Sequence, residues 1–199
     1  LLEYAVSQAA KKDIKESDYK TAFESYTPEV TAQIIKLDSE DKAKEVLEAA
    51  KAEGADFAKI AKDNSTDTAT KDKGGEVKFD SGTADIPSQV KEAAFKLDEN
   101  GISDVITVSA GQNYSASYYI VKLNKKTEKG SDWKKYEKRL KEIIVDGRKQ
   151  DTNYIRSIIA KAMTNANIKV KDDAFKSTFN QYLQNIGVET SDSSSSSKK

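Results

Sequence analysis

Between Val30 and Asn124 the hydrophobic period switches repeatedly between two and about 3.6, and this limits the possible folds more than any single motif. Thr31 to Leu37 (TAQIIKL) alternates as a strand, with Gln33, Ile35 and Leu37 on one face. Asp38 or Ser39 then caps a helix striped by Ala43, Val46, Leu47 and Ala50, which Gly54 ends. Asp56 restarts a short helix with Phe57, Ile60 and Ala61 inward. A polar loop runs through Gly74-Gly75 into a strand over Glu76–Phe79. Pro87 sits near the start of a helix whose stripe is Val90, Ala93, Ala94 and Leu97. Asp98 to Gly101 turns the chain into a strand over Val105–Val108. A last strand, Ser117–Leu123, shows Tyr119, Val121 and Leu123 on one face. The order β-α-α-β-α-β-β predicts a compact α+β domain.

Helical patterns flank this core. Leu1 to Ala10 reads as the end of a longer helix. Ser17 is expected to cap a second helix through Tyr26, which Pro28 closes. Ser131 is expected to cap a helix bearing Trp133, Tyr136, Leu140, Ile143 and Ile144. A stripe of Ile155, Ile158, Ile159 and Ala162 follows, then a short alternating run over Asn167–Asp173. A final helix is expected through Phe175, Phe179, Tyr182, Leu183 and Ile186. The ending SDSSSSSKK is low-complexity and too polar to order itself. The helices' apolar faces could cover each other, a second copy or a client chain, and a homodimer through these flanks is expected.

Composition removes whole classes of chemistry. There is no His and no Cys, so His/Cys zinc sites, thiol nucleophiles, Ser-His-Asp triads and disulfides are all excluded. A formal net charge of +0 argues against nucleic acid as a general partner. The basic run over Lys122–Lys149 is read as a solvated helix face, with an anionic polymer or membrane as the alternative. No apolar run reaches the roughly 20 residues that span a bilayer. The chain starts at Leu1 inside a helical pattern and is read as a fragment or processed form, with any leader or anchor upstream.

Five blocks in order, GADFAKIAKDNSTD, GGEV, KEAAFKL, GISDVIT and YYIVKL, resemble the parvulin (rotamase) type of peptidyl-prolyl isomerase domain over about Val30 to Lys125. With helical segments on both sides and a Ser-rich end, the chain is similar to the PrsA-type extracytoplasmic foldases, lipoproteins of Gram-positive bacteria. The resemblance implies a four-stranded parvulin-like sheet with surrounding helices at 29–125. A helical flank would occupy 1–28, a helical chaperone segment 126–190 and a disordered tail 191–199.

By the same resemblance an acid or thiol position falls at Asp67, a hydroxyl position at Thr107, and two usual imidazoles at Gln33 and Tyr119. The proline pocket falls at Ile86 and Val90, with Phe79 beside it. Each has a plainer alternative. Asp67 suits an Asx-turn, Gln33 and Tyr119 suit a strand interior, Thr107 is a common strand former, and the glycine pair suits a hairpin. Prolyl rotation breaks no covalent bond, so no cofactor and no metal is expected.

The expected function is an extracytoplasmic foldase for secreted proteins, lipid-anchored on the outer face of the membrane. Its isomerase domain is expected to be weakly active, because both family imidazoles are missing. Two alternatives stand beside it: a holdase chaperone with an inactive domain, and a wall-associated structural protein.

Overall fold

The computed structural model describes residues 2–109 and 116–165, together with 181, 184 and 185. In chain order the elements are α1 (Leu2–Lys12), α2 (Glu16–Ser25), β1 (Val30–Leu37), α3 (Glu40–Lys51), α4 (Phe57–Asn64), β2 (Glu76–Phe79), α5 (Ser88–Lys96), β3 (Ile106–Val108), β4 (Ser117–Lys126), α6 (Glu137–Gln150) and α7 (Thr152–Asn165). They divide into two compact units. One is Ser25–Asp132; the other joins Leu1–Glu24 to the described residues from Trp133 onward.

The first unit is α+β, as expected. Its sheet runs β2-β1-β4-β3, every neighbouring pair antiparallel. Strand β1 buries Val30, Ala32 and Ile34 on one face and Ile35 and Leu37 on the other, with the polar Thr31, Gln33 and Lys36 only half-buried. Val30, Ala32 and Ile34 point to one side, where Val121, Leu123, Phe79 and the α5 residues Val90 and Ala94 complete a core. Ile35 and Leu37 point to the other side, against Ile120, Ala43, Val46 and Ala50 of α3, and Phe57 and Ala61 of α4. Two caps fall where expected: Ser39 Oγ accepts from Lys42 N at 3.4 Å and Asp56 Oδ1 from Lys59 N at 3.0 Å.

The second unit is helical, and its helices cover each other: α1 packs on α6 and α7. Among the described residues Val6, Ala10, Leu140, Val145 and Ile158 are buried in it. Two expected starts are corrected. Ser17 lies inside α2; Lys15 precedes the helix and its N–H donates to Asp18 Oδ2 at 2.9 Å, the returning half of a capping box. Tyr26 is not the end of α2 but a buried residue of the α+β unit. Likewise the helix expected from Ser131 opens as a 3-10 turn over Trp133–Tyr136. Three-residue spacing eclipses Trp133 and Tyr136, and they stack on Tyr19 and Phe23, with ring centroids 5.1 and 5.9 Å apart. The run Asn167–Asp173, the helix through Phe175–Ile186 and the Ser-rich ending fall outside the described residues.

Candidate functional site

Strand register decides which candidate side chains meet. In an antiparallel pair, residues opposite each other share a face. Tyr119 lies opposite Lys36 on one side and Ile106 on the other, and Val121 lies opposite Ile34. Tyr119, Ile106, Val108 and Ile86 are half-buried and pack on the core beneath α5. Phe79 and Val90 belong to the same core but are 1% and 0% exposed. Thus Tyr119, Ile86, Val90 and Phe79 are brought together. Ile86 and Tyr119 reach the surface, whereas Val90 and Phe79 form the floor.

Gln33 is not part of that group. It lies opposite Lys122 and Glu76, on the α3–α4 face, and its Nε2 donates to Gly74 O at 2.9 Å. The alternation within each strand was read correctly. The two strands pair so that the Gln33, Ile35 and Leu37 face meets Lys122, Ile120 and Tyr118 rather than Tyr119. Thr107 is also on that other face, opposite Tyr118, and is exposed. On β1 the residues that share the face of Tyr119 are Val30, Ala32, Ile34 and Lys36, of which Lys36 lies directly opposite it. A Gln33→His substitution is therefore expected to leave peptidyl-prolyl exchange unchanged, measured by NMR on a proline tetrapeptide.

Asp67 sits in the loop beyond the other edge of β1. Strand β2 covers only the first half of that edge, and the loop covers the rest. Ile34 N donates to Gly75 O at 2.8 Å, Lys36 N to Ser65 Oγ at 3.2 Å, and Thr66 N to Lys36 O at 2.8 Å. These bonds satisfy backbone groups that would otherwise be unpaired. Asp67 closes the loop on itself: Oδ2 accepts from Thr70 Oγ1 at 2.6 Å and Oδ1 from Ala69 N at 3.2 Å. Its geometry is that of an Asx-turn. Both glycines are needed, with φ of +68° at Gly74 and +79° at Gly75.

A second polar group holds the segment that delivers Ile86. Asp80, buried, accepts from Tyr26 Oη at 3.1 Å, Gly82 N at 3.0 Å and Thr83 Oγ1 at 3.0 Å. Lys91 Nζ donates to Ser81 O at 2.9 Å and Thr83 O at 2.6 Å. The loop between β2 and α5 is thereby tied to both of its ends. Sequence reasoning missed this cluster; a lone Asp after a strand carries no signal that a tyrosine 54 residues earlier will reach it. Among the described residues no cluster of three or more Asp or Glu side chains could hold a metal ion, and no helix is long and apolar enough to cross a membrane.

The rotamase family model, a PPIC-type PPIase domain, matches residues 25–125. The chain belongs to the rotamase family. Its match coincides closely with the α+β unit. The rotamase chain is 64% identical over 94% of its length to the foldase protein PrsA of Streptococcus sanguinis, covering 56% of that relative. It is 55% identical over its full length to the Streptococcus pneumoniae foldase protein PrsA, covering 63% of it. Among solved structures, a Streptococcus pneumoniae foldase protein PrsA superposes with TM-score 0.84 at 55% identity, over 91% of this chain and 66% of that one. The Lactococcus lactis foldase protein PrsA gives 0.71 at 35% identity, over 91% and 65%. The rotamase chain thus spans about three-fifths of the length of these curated relatives.

Proposed function

We propose that this chain is the rotamase-bearing part of an extracytoplasmic foldase, and that it grips proline-containing stretches of unfolded secreted proteins on the α5 face of its sheet. One observation carries this reading: Tyr119, Ile106, Val108 and Ile86 form a half-buried apolar surface over a fully buried floor of Val90 and Phe79. A proline ring needs such a surface and little else. Amide rotation has a barrier of about 18–20 kcal/mol because conjugation is lost midway. A site that holds the ring while the preceding carbonyl swings lowers that barrier without acid, base or metal. The Tyr119 hydroxyl is the one polar group among the four catalytic candidates placed to donate to a twisting amide on this face. Asp67, Gln33 and Thr107 support the sheet and its edge loop. With a single donor, isomerisation is slow relative to a site with a full hydrogen-bond network, since one well-placed donor is typically worth about 10²–10³ in rate.

The foldase acts outside the cytoplasm at the membrane surface, in keeping with its likeness to foldase proteins. A purely client-binding role is supported by the helical unit. It carries a cavity of about 420 Å³ lined by Glu3, Val6, Asp146, Lys149, Gln150 and Ile155. Two apolar residues, Val6 and Ile155, among charged and amide neighbours suit unfolded segments of mixed character.

The test is proline exchange in a short peptide, followed by NMR with the full chain. Acceleration that falls about 10²-fold in Tyr119→Phe, with weaker peptide binding in Ile86→Ala, supports the isomerase reading. No acceleration, combined with continued suppression of client aggregation, leaves the client-binding role alone.

A further inference from the structure

We infer that Lys36, opposite Tyr119, forms an anion-selecting subsite at the border of this face, so that the chain favours segments in which Asp or Glu stands next to proline. This rests on the proposed role of the α5 face. Register sets Lys36 directly opposite Tyr119. The backbone N–H and C=O of Lys36 are both spent on the loop, at Ser65 and Thr66. Lys36 and Tyr119 are therefore a non-hydrogen-bonded pair, the kind whose Cα atoms approach to about 4.5 Å and whose side chains lie closest.

Neither polar tip is occupied. Among the described residues the Lys36 ammonium enters no ion pair or hydrogen bond, and the Tyr119 hydroxyl enters no hydrogen bond. The carboxylates nearest in the chain are engaged elsewhere: Asp38 accepts from Thr66 Oγ1 at 3.2 Å and Asp67 from Thr70 and Ala69. Two other lysines that border this face behave differently. Lys91 Nζ is held by the carbonyls of Ser81 and Thr83, and Lys126 Nζ by those of Phe95 and Leu97. Lys36 is half-buried, as expected of a lysine whose aliphatic stem lies along the sheet while its ammonium stays in water. An incoming carboxylate would find that ammonium unengaged.

The spacing suits an acidic residue beside proline. Lys36 and Ile106 are two strands apart, roughly 10 Å. A proline ring seated over Ile106 and Ile86 leaves a neighbouring Glu side chain and the four-carbon lysine stem to span that distance. The Tyr119 ring stands between them; its one hydroxyl proton serves the prolyl amide, so the selection of charge falls to Lys36.

The experiment titrates three peptides, Ala-Glu-Pro-Phe, Ala-Ala-Pro-Phe and Ala-Lys-Pro-Phe, into the full chain at low salt, reading amide shifts and Kd. The wild type is expected to bind the Glu peptide about fivefold more tightly than the Lys peptide, the scale of a partly exposed ion pair. Lys36→Met should erase that preference and Lys36→Glu should invert it; should the latter fail to fold, Lys36→Met decides. Equal binding of all three by the wild type, or a preference that survives Lys36→Met, overturns the subsite while leaving the proline face intact. If no peptide shifts the amides around Tyr119, the proposed function fails and the subsite with it.

Discussion

Gly75→Ala unfolds the α+β unit or leaves it less stable by about 3–5 kcal/mol. The methyl group would stand 2.5 Å from the carbonyl oxygen of Ile34 and 3.0 Å from its amide nitrogen. Both are backbone atoms of the central strand, with no flexible side chain to swing away. The residue also has φ of +79°, which an L side chain adopts only with strain. Relief requires Gly75 to move off β1, which breaks the bond from Ile34 N to Gly75 O and uncovers the edge that the loop protects. Gly54→Ala is the matched control. Its φ is +73° but nothing lies within 4 Å, so only the conformational term of about 1 kcal/mol remains. Urea denaturation followed by far-ultraviolet circular dichroism measures both. Equal losses at the two positions would show that contact with Ile34 contributes nothing.

Arg148→Met destabilises the helical unit by about 2–4 kcal/mol. The guanidinium donates to Asp18 Oδ2 at 2.8 Å, to Ala10 O at 3.0 Å and to Asp13 O at 3.4 Å. It also stands 5.3 Å from the centre of the Tyr154 ring. One side chain on α6 thus ties down the end of α1, the start of α2 and a residue of α7. The ion pair is mostly sheltered, at 19% and 33% side-chain exposure, so solvent screens it less than the surface pairs of this chain. Methionine keeps the length and loses every polar contact, leaving Asp18 half-buried without its charged partner and held only by the Lys15 N–H. Hydrogen exchange resolves the effect. Faster exchange across α1, α2, α6 and α7 is expected, and unchanged rates there would refute it. Loss of Lys42–Glu45, an exposed pair at 3.0 Å, should by contrast be barely measurable.

Much of the fold was legible because its signals are local. The change of period around Thr31, Glu76 and Ser117 marks strands. The caps at Ser39 and Asp56 and the stripe of Ala43, Val46 and Ala50 mark helices. What could not be read is set by partners far away in sequence. Which face of β1 meets which face of β4 depends on a register between residues some ninety positions apart, and a one-residue slip exchanges every side chain. That is why Gln33 and Tyr119, which the resemblance places in one site, stand on opposite faces, and why nothing local in the sequence marks Lys36. The same reason hid Asp80, whose partner Tyr26 was expected at the end of a helix. Ser17 and Ser131 show a smaller failure: Asp18 outcompetes one as a cap, and aromatic stacking turns the other's helix into a 3-10 start.

The central claim is that the α5 face of the sheet, and no other surface of the α+β unit, receives proline. Amide chemical-shift mapping of the full chain with Ala-Ala-Pro-Phe tests it most directly. The account predicts perturbations concentrated at Ile86, Ile106, Val108 and Tyr119, with Gln33, Thr107 and the α3–α4 side silent. Perturbations centred on Gln33, Tyr118 and α4 instead would contradict it.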